Sequence, residues 1–206
     1  MKFIGILDYG SGNILSVCRA IEKIGFNAKL IRTNEDFENI RHIIIPGVGA
    51  FASAMTKLQS RELDKGIKKH VECGNKLLGI CVGMQVMFNS SSEYGVTRGL
   101  GLLNGDVQKI DTGSGFSINE KVPNIGWRAV DILQSESQFK KLSGEKFYHL
   151  HSYAPRQCDK NEVLGISSYA GIELNVLCSR GNIFGAQFHP EKSGEVGLKF
   201  LEIFCQ

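Results

Sequence analysis

No apolar run in the sequence approaches the roughly 18 residues that a membrane-spanning helix needs. Charge of one sign is also scarce: 24 Lys+Arg against 21 Asp+Glu leave a surplus of only +3. That surplus is too small to argue for nucleic acid or an acidic membrane surface as a partner. Six cysteines stand at 18, 73, 81, 158, 178 and 205, yet no Cys-x-x-Cys pair is among them. A chain of 206 residues can bury enough surface to need no covalent staples, so a reducing cytoplasm is the expected compartment. Most of the cysteines are then expected as small buried apolar residues. Repeats, low-complexity tracts and an interdomain linker are missing too, and residues 1–206 are expected to form one domain. The start, Met1-Lys2-Phe3-Ile4-Gly5-Ile6-Leu7-Asp8, has a short apolar stretch without a small-residue cleavage site. It reads as a first strand rather than a signal peptide.

What is present alternates strand and helix through the first half. Phe3 to Leu7 predicts a strand. Ile14, Val17, Ile21 and Ile24 form a helical stripe that Gly25 closes. Ala28 to Ile31 and His42 to Ile45 predict the second and third strands, the latter broken by Pro46-Gly47-Val48-Gly49. A helix from about Ala50 and another carrying Leu63, Ile67 and Val71 lead to a fourth strand, Lys76 to Ile80, followed by a helical stretch from Met84 to Phe88. The second half predicts strands over Asp106–Ile110, Arg128–Leu133, Lys146–His151, Val163–Ser168, Leu174–Ser179 and Ile183–Phe188. Gly113, Gly115, Gly144, Gly171 and Gly181 fall among the turns between them. A last helix buries Gly197, Phe200, Leu201 and Phe204. The expected fold is α/β: a doubly wound, mostly parallel sheet flanked by helices, with antiparallel strands added in the second half.

One cysteine differs from the rest. Gly79-Ile80-Cys81-Val82-Gly83 places Cys81 between an apolar strand and a helix, flanked by glycines. This is the form of a nucleophile elbow, in which a sharp turn holds the reactive side chain at the carboxyl end of the sheet. A helix N-terminus favours the thiolate, and the Val82 N–H becomes an oxyanion donor. A nucleophilic thiol needs a base. Of five histidines, His42 opens a buried strand and His70 lies in a charged helix; both read as structural or solvated. His189 ends a strand and is followed by Pro190 and Glu191, whose carboxylate is close enough to orient the ring. Cys81, His189 and Glu191 then form a nucleophile–base–orienter set. Two other readings compete. His149 and His151 share a strand face and with His189 could hold zinc, although the usual companion ligands sit elsewhere. Gly10-Ser11-Gly12 suggests a dinucleotide turn, but position 15 is Leu15 where a third glycine is needed, so no nucleotide cofactor is expected.

Three segments together resemble the signatures of the class I (triad) glutamine amidotransferases: Pro46-Gly47-Val48-Gly49-Ala50-Phe51, Leu78-Gly79-Ile80-Cys81-Val82-Gly83-Met84-Gln85, and Gln187-Phe188-His189-Pro190-Glu191-Lys192-Ser193. Asp8-Tyr9-Gly10-Ser11-Gly12-Asn13, Val122-Pro123-Asn124-Ile125-Gly126-Trp127 and His151-Ser152-Tyr153 are similar to one branch of it, the glutaminase subunits of imidazole glycerol phosphate synthase. The resemblance implies hydrolysis of L-glutamine to glutamate and ammonia without metal or cofactor. It implies Cys81 as nucleophile, His189 as base and Glu191 as orienter. Oxyanion donors come from Val82 and the Val48–Gly49 turn. Gly49 and Gln85 match glutamine-holding positions, Glu93 is a candidate for the α-amino group, and the backbone around Ser152 and Tyr153 for the α-carboxylate.

The resemblance also implies a partner: a (β/α)₈-barrel cyclase that takes the ammonia within a heterodimer and closes an imidazole ring in histidine biosynthesis. Asn13, Trp127, Tyr148 and Lys192 match positions near that interface. Low activity alone and strong stimulation by the partner are expected. The chain departs from the usual pattern at Asn124, Ile125, Arg128 and Val82, where histidine, methionine, asparagine and leucine are usual. Three of these lie in the partner-facing segment, which leaves open a paralogous role supplying ammonia for the amidination of surface sugars.

Overall fold

Residues 3–111 and 122–206 are described by a computed structural model; Gly113 and Gly115, expected in a turn, lie outside the described residues. Four parallel strands carry the first half: Phe3–Leu7 (β1), Asn27–Ile31 (β2), His42–Gly47 (β3) and Lys76–Cys81 (β4). Between them run helices Ile14–Lys23 (α1), Phe51–Ser60 (α2) and Leu63–Glu72 (α3). The isoleucines and leucines of β1, β3 and β4 are buried throughout, as strands covered on both faces require. β3 runs two residues past its expected end, because Pro46 and Gly47 still pair with Ile80 and Cys81 of β4. In α3, Leu63 and Ile67 are buried as expected, but His70 rather than Val71 completes the inner face. Its Nε2 meets the Lys76 carbonyl at 3.2 Å, and burial holds its pKa below the usual value.

The helix expected over Met84–Phe88 is a single turn, Val82–Gln85 (α4). It stops because the next carbonyls are taken from outside. Leu100 N–H donates to Val86, Leu102 N–H to Met87 and Gly101 N–H to Phe88. Short strands follow: Ser90–Ser91 (β5), Thr97–Arg98 (β6) and Asp106–Lys109 (β7). The strand expected over Arg128–Leu133 is two strands, Asn124–Ala129 (β8) and Asp131–Ile132 (β9). They part at Val130, which bonds with Gly144 and Glu145, so each piece joins a different sheet. Lys146–His151 (β10), Tyr153–Arg156 (β11), Val163–Tyr169 (β12), Ile172–Arg180 (β13) and Ile183–Ala186 (β14) complete the strands, and Gly194–Cys205 (α5) closes the chain. β11 was not expected from the sequence. Gly197, Phe200, Leu201 and Phe204 are all buried in α5.

The main sheet has eight strands in the order β2-β1-β3-β4-β14-β13-β12-β9. Its first five strands are parallel and its last three antiparallel. Two smaller sheets, β10-β8 and β11-β7-β5-β6, stand apart from it. Strand order reverses between β1 and β3. With right-handed crossovers, that reversal puts α1 on one face and α2–α3 on the other. It also opens a crevice at the carboxyl ends of the strands, the usual ligand site of such sheets. The turns after β1 and β3 meet there: Ser11 Oγ donates to the Val48 carbonyl at 2.9 Å, and Tyr9 Oη to the Pro46 carbonyl at 2.8 Å.

Candidate active site

Cys81 occupies the junction of β4 and α4 with φ 54° and ψ −113°, a conformation that L side chains rarely adopt. Such backbone costs on the order of 1–3 kcal/mol and persists only when its surroundings impose it. Here they do. A Cβ on Gly83 would collide with the Ile45 carbonyl, and one on Gly79 with the Gly83 carbonyl and Met84. Both glycines let the elbow press against β3 and itself. Because α4 is one turn long, its macrodipole is small, and the favourable field at Cys81 reduces to the open N–H groups of the first turn, Val82 among them.

His189 follows β14, which lies beside β4 in the sheet. Its backbone is clamped: His189 N–H donates to the Tyr148 carbonyl at 2.9 Å, and Ser193 Oγ donates to the His189 carbonyl at 2.6 Å while accepting from Tyr148 N–H at 3.0 Å. Its ring meets the Cys81 thiol on one side. On the other, Nδ1 lies 2.9 Å from Glu191 Oε1, with both side chains almost fully buried. Burial disfavours the charged ring. The hydrogen bonds and charges of Cys81 and Glu191 outweigh it and raise the His189 pKa to about 10. At neutral pH the ring therefore holds a proton ready to deliver.

A cavity of about 260 Å³ opens above Cys81. Val48, Gly49, Val82, Gln85, Glu93, Ser152 and Tyr153 line it together with Cys81 and His189, and Glu191 stands behind His189. The residues picked from sequence thus converge on one small pocket. Their polar atoms are partly committed. Glu93 Oε2 accepts from the Phe51 N–H at 2.7 Å. Gln85 Nε2 donates to the Tyr153 carbonyl at 3.1 Å and to Gln187 Oε1 at 3.0 Å, and the Ser152 carbonyl accepts from Ile110 N–H. Trp127, Tyr148 and Lys192 form one cluster: the Trp127 and Tyr148 rings stand edge to face at 6.1 Å, and Lys192 Nζ lies 6.0 Å from the Tyr148 ring centre. Trp127 is about half exposed. Asn13 takes no part in those ring contacts and sits at the start of α1.

His149 and His151 share a strand face and are both buried, as their spacing predicts. They hydrogen-bond to each other, His149 Nδ1 to His151 Nε2 at 3.3 Å, and Asn124 Nδ2 meets the same His151 nitrogen at 3.2 Å. Burial pushes His151 down to about 4 and His149 well below its usual value, with the charge of His189 adding to both shifts. Among the described residues no group of three His, Cys, Asp or Glu side chains is placed to hold a metal. The other cysteines divide unevenly. Cys178 and Cys205 are buried, Cys18 and Cys158 half-buried, and Cys73 exposed, so the expectation of mostly buried cysteines holds least well at Cys73.

Gln187 was missed as a site residue. It is wholly buried, and its Nε2 donates to Cys81 Sγ at 3.7 Å. A polar residue in the apolar stretch Ala186-Gln187-Phe188, two positions before the base and so on the same side of an extended chain, was the available signal.

The fold, elbow and triad define an amidotransferase of the glutamine-hydrolysing class, and the family model for "Glutamine amidotransferase class-I" matches residues 5–205; the chain belongs to this family. It is 41% identical over 201 residues, 98% of this chain and 94% of the relative, to "Imidazole glycerol phosphate synthase subunit HisH" of Listeria innocua serovar 6a. It is 40% identical over 205 residues, 99% and 94% of the two chains, to the protein of that name from Moorella thermoacetica. Among solved structures, "Structure of PurLQS from Thermotoga maritima" superposes with a TM-score of 0.77 at 19% identity, covering 98% of this chain and 97% of that one, and so shares the fold.

Proposed function

We propose that the chain is the glutaminase subunit of an imidazole glycerol phosphate synthase, acting in histidine biosynthesis. The observation that carries the chemistry is the buried Cys81–His189–Glu191 set at the floor of the pocket. The near-full-length relatives of the same name carry the pathway. With the Cys81 proton held on His189, the Cys81 thiolate attacks the side-chain carbonyl carbon of L-glutamine. The C–S bond forms as the carbonyl electron pair moves to oxygen, where N–H groups of Val82 and the Val48–Gly49 turn receive it. His189 gives its proton to the amide nitrogen, the C–N bond breaks, and ammonia leaves a glutamyl thioester. His189 then takes a proton from water, the hydroxide adds to the thioester carbonyl carbon, and the C–S bond breaks to release glutamate and return Cys81 and His189 to their starting protonation. Glu191 keeps the ring oriented. Glu93, Gln85, Ser152 and Tyr153 hold the amino acid's polar ends, with Gln85 offering its carbonyl oxygen because its nitrogen is already used.

Ammonia released into water protonates and is lost, so the product passes to a second chain. In this reading that chain is a (β/α)₈-barrel cyclase in a cytoplasmic heterodimer. The exposed Trp127, Tyr148 and Lys192 cluster, with Asn13, forms the docking face. An aromatic anchor of this kind is a common interface hot spot. The test is to mix the protein with a histidine-pathway cyclase and follow glutamine-dependent ring closure together with glutamate release. Expected are low turnover alone, strong stimulation by the cyclase, and loss of both activities in Cys81→Ala. Ring closure that never responds to glutamine would overturn the pathway, and retained hydrolysis in Cys81→Ala would overturn the triad.

A further inference from the structure

A directed chain of hydrogen bonds ends on the nucleophile. Its polarity follows from one backbone atom. The Tyr153 carbonyl can only accept, so the group of Gln85 that faces it at 3.1 Å is the NH₂. That same nitrogen lies 3.0 Å from the side chain of Gln187, which must therefore present its oxygen. The remaining end of the Gln187 amide is then a donor, and it lies 3.7 Å from Cys81 Sγ. On the far side the Tyr153 carbonyl also accepts from His151 Nδ1 at 2.9 Å, which uses its second lone pair and fixes the ring with Nε2 bare to receive Asn124. Gln85, Gln187 and His151 are all buried, so neither amide can turn over without stranding donors against donors.

We infer that Gln187 is a further catalytic residue: it steadies the Cys81 sulfur as an anion, through a donor whose direction Tyr153 and Gln85 impose. The neutral thiol has an alternative, because Sγ also lies 3.9 Å from the Leu150 carbonyl, to which only S–H can donate. When the proton leaves, that contact is lost and repulsive, while the Gln187 donor is retained and strengthened by the charge. The amide thus favours the anion over the thiol and fixes the sulfur's position beside the pocket. The inference rests on Cys81 being the glutaminase nucleophile.

Three variants test it: Gln187→Met, which keeps the volume and removes the donor; Gln187→Glu, which keeps the shape and puts a carboxylate near the sulfur; and Cys73→Ser, which removes the exposed thiol and is the control. Iodoacetamide labelling at Cys81 is followed by peptide mass spectrometry, and glutamine turnover is measured with the cyclase present. Gln187→Met is expected to label about tenfold more slowly than the parent at pH 7, with the deficit recovered at pH 9, and to lose kcat with KM little changed. Gln187→Glu is expected to lose more than Gln187→Met. Equal labelling of parent and Gln187→Met at pH 7, or a deficit that persists unchanged to pH 9, overturns the inference; the second result would leave Gln187 a packing residue. An inactive parent complex would instead count against the glutaminase reading, which the labelling ratio does not depend on.

Discussion

Two buried histidine sites lie close together in this protein and carry opposite charge states. His189 sits between two anion-forming groups, Cys81 and Glu191, and its pKa is raised to about 10. His149 and His151 sit among Asn124, each other and a backbone carbonyl, and theirs are lowered, His151 to about 4. Burial opposes charge at both, so burial alone does not set the state of a histidine here. The partners do. At His189 two potential negative charges repay desolvation. At His149 and His151 the hydrogen-bond partners are all neutral, the Tyr153 carbonyl, the Asn124 amide and each other, and the imidazolium of His189 repels charge at both rings, joined at His149 by the Arg128 guanidinium. The protein thereby keeps one proton on the ring beside the Cys81 sulfur and none on the scaffold next to it.

The largest expected effect comes from removing the charge that holds His189. Glu191→Gln keeps the shape and takes away the anion, and turnover in the complex should fall about 10²- to 10⁴-fold, as for other triads that lose the orienting carboxylate. By NMR the His189 titration should move down from about 10. An unmoved titration would break the contrast at its stronger end. The intermediate effect is on stability. Raised above 6.5, His189 contributes stability that is complete below pH 6.5 and lost as pH rises toward 10. Lowered below 6.5, His149 and His151 contribute stability that is complete above pH 6.5 and lost as pH falls below it, for His151 through about 4. His149→Phe should therefore flatten the acid limb of a denaturation series below pH 6.5 and leave the alkaline limb alone. An acid limb as steep as the parent's would place the lost stability elsewhere. The smallest effect is expected at Asn124→Leu. It removes one neutral donor from His151 Nε2, which His149 still partly serves, and should cost about 1 kcal/mol in urea unfolding at pH 7.

The meeting of Cys81, His189 and Glu191 was legible because each announces itself locally. A glycine-flanked cysteine after an apolar strand and a histidine two residues before a glutamate are short-range patterns, and the sheet only had to bring the two segments together. The parallel half was legible for the same reason, since β1, β3 and β4 each carry a short apolar run. Gln187 was not, because its meaning lies in contacts with Gln85 and Cys81, 102 and 106 residues away in sequence. Nor was the division of residues 124–132 into β8 and β9. The residues on either side of Val130 are all compatible with strand, and the break is made by Gly144 and Glu145 from another part of the chain. The charge states of His149 and His151 likewise depend on burial and on the charge of His189, neither of which the local sequence displays.

The place of β14 in the main sheet has a consequence for the chain as it is made. β4 has β3 on one side and β14 on the other, so during synthesis one edge of β4 waits until residues 183–186 emerge. Through that interval Cys81 exists without His189, Glu191 or Gln187. Residues 183–191 therefore both seal that open edge of the sheet and complete the surroundings of the Cys81 thiol. A chain that stops short of them carries Cys81 without the histidine, glutamate and glutamine that surround it in the folded protein.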